Sequence, residues 1–187
     1  MVDLDRYAEP SRAPDVLAAR RAALLDQLAW LTDEAAALVP LLSALPAWAV
    51  DQSPMPDQPT AKEVFAGLAT LDREVYPDWL RQLDMEPRSE LAIPSPLPGT
   101  GGANDRDLEE LLADIQAART DLVARITALD VEGWSRKAML NGSEADLYGL
   151  ALAIVQHDAD RLKDLAYRLH EADLRPPKPG DDLPRPA

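Results

Sequence analysis

The stretch Ala153–Leu165, AIVQHDADRLKDL, decides how this chain folds. Steps of three and four through it give Leu150, Ile154, His157, Arg161 and Leu165, the spacing of residues that share one face of an α-helix. Such a row should face a core along its length, yet two of its five members are polar. The helix that carries it is the fourth and last of the chain. It follows DVEGWSRKAMLNGSEAD, in which Asn141-Gly142 signals a turn and Ser143, with Asp146 three residues on, reads as the N-cap; it runs to about Asp173.

Working back from it, a third helix starts near Asn104 or Asp105 and carries Leu108, Leu111, Leu112, Ile115, Leu122, Ile126 and Leu129 at helical spacing. Before that lies the long connection MEPRSELAIPSPLPGTGGAND, enough chain to cross an end or flank of a bundle. The second helix opens on Thr60-Ala61-Lys62-Glu63, a T-x-x-E capping box, and carries Val64, Phe65, Leu68, Leu71 and Val75 to about Leu83, with a bend or break expected near Tyr76 because Pro77 follows. The first runs from near Pro14 to about Leu45, with Pro40 expected to kink or end it and PAWAVDQSPMPDQP as a loop after it. No strand alternation of useful length is visible and no repeat at a fixed period. Four amphipathic helices, none able to bury its stripe alone, predict an all-α four-helix bundle with a long connection between helices two and three.

The 187 residues suit one domain with a real core. There is no cysteine, which excludes disulfides, thiolate metal sites and a cysteine nucleophile; with two histidines, His157 and His170, a three-histidine cluster within one subunit is excluded too. The net charge of −14 argues against nucleic acid and an anionic membrane surface as partners. The opening MVDLDRYAEP has neither a basic nor an apolar leader region, and no long apolar run occurs, so a cytoplasmic location is expected.

The bland reading of His157 is a hydrogen-bonded core histidine, and of Arg161 a snorkelling side chain or a partner for Asp158. Together they ask for more, because an unpaired guanidinium in a core row costs several kcal/mol, of order 3–5 by removal of a buried partner. The i, i+4 spacing is that of paired helical metal ligands, as in H-E-x-x-H, but a permanent cation at the second position repels a metal.

Two local stretches resemble the DinB/YfiT-like family of four-helix-bundle metalloenzymes, which includes bacillithiol- and mycothiol-dependent enzymes. Thr60-Ala61-Lys62-Glu63-Val64-Phe65-Ala66-Gly67-Leu68 resembles the family's helix-two pattern, a Trp-Ser followed by K-E-V-x-x-H-L. Trp134-Ser135-Arg136 and His157-Asp158-Ala159-Asp160-Arg161 resemble its segment before helix four and its H-x-x-x-H on that helix. Helix order, the long second connection and the span from about 15 to 173 agree with the family. The resemblance implies a single DinB-like domain over 1–173, with 174–187 as a disordered Pro-rich tail.

Carried over residue by residue, the family's three histidine ligands fall on Gly67, His157 and Arg161, only one of which is a histidine here. A glycine in a helix interior costs about 1 kcal/mol against alanine. The space at Gly67 reads as room for the Arg161 side chain. A compensating site built from His157, Asp158 and Asp72 is disfavoured because Asp72 lies five residues beyond Gly67, on a different face.

Three functional readings follow. In the first the metal triad is lost, no cofactor is expected, Zn²⁺ and Ni²⁺ included, and Gly67, His157, Asp158, Arg161 and Trp134 line a polar pocket for a small anionic or thiol ligand; if any metal binds, His157 is its ligand. The second keeps the family's metal- and thiol-dependent transferase or isomerase chemistry. The third is a non-catalytic module that forms a homodimer through exposed bundle faces. Trp30, Trp48 and Trp79 read as packing, and His170 as a favourable charge at a helix C-terminus.

Overall fold

The computed structural model of the chain describes residues 12–53, 58–86 and 88–174, with the backbone alone over 171–174. The four expected helices are present and form a bundle: α1 (Pro14–Ser43), α3 and α4 (Ala61–Thr70 and Tyr76–Met85) joined end to end, α5 (Leu108–Thr127) and α7 (Leu147–Leu174). Short helices α2 (Ala47–Asp51) and α6 (Val131–Ser135) lie in the connections, α2 in the stretch expected to be only a loop. The α1 helix packs most extensively on α5, α3 packs on α5, and α7 packs on α1. Leu28, Leu31, Phe65, Leu68, Leu111, Ile115, Leu122 and Ile154 fill the space between them. Among the described residues no helix is long and apolar enough to cross a membrane.

The α3 helix starts where its capping box places it. The Thr60 amide donates to Glu63 Oε2 at 2.7 Å and the Glu63 amide donates to Thr60 Oγ1 at 3.1 Å. Every residue from Val64 to Ala69 is buried, so this helix runs through the centre of the molecule. The break expected near Tyr76 is instead a single π-helical turn, Leu71–Val75, that joins α3 to α4. Pro77 has no amide to continue the α-ladder, and the wider turn absorbs the gap without ending the rod; the Tyr76 amide reaches back five residues to Leu71 O. Pro40 likewise does not end α1, which continues to Ser43. It is exposed and one turn from the helix end, so its missing amide and the clash of its ring with the preceding turn disturb only the end of the helix.

A small sheet departs from the all-helical expectation. The strand β1 (Glu90–Leu91), within the long connection, pairs in parallel with β2 (Lys137–Leu140), and β2 pairs antiparallel with β3 (Ser143–Asp146). The Asn141-Gly142 turn is the two-residue link of this hairpin, with φ of 51° and 78° at the two positions. That left-handed pair matches the twist of the flanking strands, so the segment read as the N-cap of helix four is a strand. The cap is Asp146, whose Oδ1 accepts from the Gly149 amide at 3.1 Å. The α5 helix similarly begins at Leu108, after a 3₁₀ turn at Ala103–Asp105. The expected tail lies outside the described residues except for Leu174, which ends α7.

Candidate functional site

On α7 the fully buried row is Leu147, Ala151, Ile154, Asp158 and Leu165. The polar residue at its centre is therefore Asp158, with His157 and Arg161 half-buried at its edge. Asp158 does not pair with Arg161 as expected. Its Oδ2 accepts from Arg119 Nη2 at 2.6 Å.

Arg119, on α5, is buried with 1% of its surface exposed, and the same guanidinium grips Asp72 with two bonds, Nε to Oδ2 and Nη2 to Oδ1, each 2.8 Å. Its Nη1 donates to Leu28 O at 3.2 Å. One side chain thus touches all four long elements of the bundle: α1 through Leu28, the π turn through Asp72, α5 through its own backbone and α7 through Asp158. Asp72 does lie on a different face from Gly67, but α3 is buried nearly all round, so that face is core as well.

One cation serves two carboxylates here, and the imbalance sets the electrostatics. Burial pushes the Asp72 carboxyl up to about 6, against the opposing pull of Arg119. Burial by itself would lower the Arg119 pKa, but Asp158 and Asp72 outweigh it and hold the guanidinium above its ordinary value. The Tyr76 hydroxyl is pushed far up, first by burial and then by the negative charges of Asp158 and Asp72. That hydroxyl is buried and has no hydrogen-bond partner among the described residues.

At the edge of this cluster Arg161 Nε donates to His157 Nε2 at 3.3 Å, and His157 Nδ1 faces Asp158 Oδ1 at 3.4 Å. Among the described residues Arg161 makes no ion pair with any carboxylate.

The remaining expected positions are placed differently. A Cβ on Gly67 would sit 2.8 Å from Leu97 Cβ, so it is Leu97 of the long connection, not Arg161, that lies against this glycine. Trp134 is fully buried, but its ring packs on Tyr148, with centroids 4.8 Å apart, and lies under Arg21. Tyr148 and His157 are nine residues apart on α7, about 13 Å of helix rise, so the tryptophan belongs to another part of the bundle.

Arg119 is the member that sequence reasoning missed, and Asp72, weighed there only as a metal ligand and set aside, is its partner. The signal for Arg119 lies on its own helix: the row Leu112, Ile115, Leu122, Ile126 passes through position 119 at steps of four and three.

The three positions to which family resemblance assigns a metal triad do not form a donor set. One has no side chain and is packed against a leucine, and one is a guanidinium bonded to the third. Among the described residues no group of three or more His, Cys, Asp or Glu converges to hold a metal ion.

No protein-family model matches the chain, and no curated protein is significantly similar to it in sequence. Among solved structures it is similar to YfiT from Bacillus subtilis, described as a probable metal-dependent hydrolase with an unusual four-helix bundle topology. The TM-score is 0.66 at 12% sequence identity, over 88% of this chain and 92% of that one. At that identity the likeness is one of fold, and the fold of this chain is a YfiT-like four-helix bundle.

Proposed function

We propose that this DinB/YfiT-like protein works without a three-histidine metal centre and binds a small carboxylate or related oxyanion at Arg161. The observation that carries the reading is a half-buried guanidinium, held by His157, with no carboxylate partner among the described residues. A guanidinium keeps its charge at every accessible pH and presents two parallel N–H groups to a planar oxyanion. With Nε engaged by His157, the Nη atoms are the donors that face a ligand. His157 is kept in register by Asp158, which Arg119 anchors in turn. The cluster beneath thereby fixes the orientation of the binding pair.

The test is calorimetry on protein purified without a polyhistidine tag. Titration with Zn²⁺ and Ni²⁺ should give no stoichiometric binding. Malonate, acetate and phosphate, screened by thermal shift, should include at least one that raises the melting temperature of the wild type and not of Arg161→Gln. A stoichiometric metal lost in His157→Ala would overturn the reading. It would favour the alternative that the likeness to YfiT suggests, a metal-dependent enzyme, with the thiol-dependent transferase or isomerase chemistry of the wider family as one form.

A further inference from the structure

At the other end of the bundle, where α1 begins, a groove of about 440 Å³ runs between α1, α6 and the start of α7. Its walls are apolar, with Leu17 and Leu25 from α1, Val131 from α6 and Tyr148 from α7, and Ala22 leaves width between them. The volume falls within the roughly 300–1,000 Å³ of sites that take small organic ligands. Val131 leaves 63% of its surface exposed at the rim.

One charge breaks this lining. Arg21 is held rigidly: its Nη2 donates to Thr127 O at 2.8 Å and to Leu129 O at 2.7 Å, at the C-terminal end of α5, and its guanidinium carbon lies 5.4 Å from the centroid of the Trp134 ring. The carbonyls and the ring fix its position but supply no formal negative charge. Among the described residues no carboxylate comes within ion-pair distance of Arg21, and its Nε and Nη1 make no hydrogen bond. In a chain with 33 acidic against 19 basic residues, a pinned cation with no carboxylate partner among the described residues is out of keeping with an apolar groove.

We infer that this groove is a second binding site, distinct from the one at Arg161, for an apolar monocarboxylate: its hydrocarbon body lies along Leu17, Leu25 and Val131, and its carboxylate pairs with the free edge of Arg21. Apolar burial supplies the affinity, and the fixed guanidinium selects the anion over a neutral or cationic amphiphile of equal length. Because Arg21 is held in place before the ligand arrives, little side-chain freedom is lost on binding.

The probe is octanoate, added to the full chain and followed by calorimetry and by the indole Nε1–H resonances of the four tryptophans in two-dimensional NMR. Octanoate should bind saturably and shift the Trp134 resonance, while 1-octanol should bind at least about tenfold more weakly and octylammonium more weakly still. Val131→Asp, at a position with 63% of its surface exposed, should weaken octanoate by about tenfold or more by placing a like charge at the rim. Arg21→Gln should bring octanoate down to the affinity of 1-octanol, with circular dichroism confirming that the bundle is intact. The inference is overturned if octanoate fails to bind saturably, if 1-octanol binds as tightly, or if Val131→Asp leaves the affinity unchanged.

Discussion

Arg119 has the most demanding position among the described residues. A guanidinium at 1% exposure is stable only because its donors reach two carboxylates and a backbone carbonyl. Removing it strands Asp72 and Asp158 in the core. Arg119→Leu should therefore cost about 3–5 kcal/mol in urea denaturation, the range for breaking a buried ion pair from one side. The variant that also carries Asp72→Asn and Asp158→Asn should recover most of that loss, since no charge is then left buried; if it is as unstable as the single variant, the cluster contributes packing rather than charge balance. Arg119 can be found in the sequence by stepping along its own helix. Its partners cannot, because they lie 47 and 39 residues away and nothing local to Asp72 marks it as paired.

At the scale of the element, Gly67 shows how a helix and a connection are fitted to each other. An Ala in a helix interior ordinarily stabilises by about 1 kcal/mol against Gly. Here the added methyl would meet Leu97 Cβ at 2.8 Å, and a Cβ cannot rotate away as the far end of a side chain can. Gly67→Ala should therefore destabilise, by about 1–3 kcal/mol as in an overpacked core, and thermal melting decides the sign. A gain in stability would mean that Leu97 and its connection shift freely. The four helices and the capping box are legible because the 3.6-residue period repeats over many turns and the cap is a local pattern of four residues. The two-residue β1 is not, because two residues carry no period and the partner strand is almost fifty positions further on. The π turn at Leu71–Val75 escapes for a related reason: Pro77 announces a disturbance but not whether the rod breaks or widens.

For the molecule as a whole, the raised Asp72 carboxyl makes stability depend on pH. The folded chain holds that proton up to about pH 6, whereas the ordinary value, which the unfolded chain approaches, is 3.8. The native state therefore binds more protons between these limits. The contribution of Asp72 is fully present below about 4 and is lost as pH rises through about 6. Protein at pH 5 should thus resist urea better than protein at pH 7. The chain's net charge of −14 acts in the same direction by self-repulsion, so the share due to Asp72 is the part of the slope that disappears in Asp72→Asn. An unchanged slope in that variant would assign the whole effect to surface charge.

The junction at Arg119 also bears on how the molecule can come apart. Because Leu28, Asp72, Arg119 and Asp158 meet at one point, no long helix can peel away without leaving a charged or polar partner unpaired in an apolar interior. The bundle is latched at this point, and its helices should protect their amides from hydrogen exchange as a single unit rather than in succession.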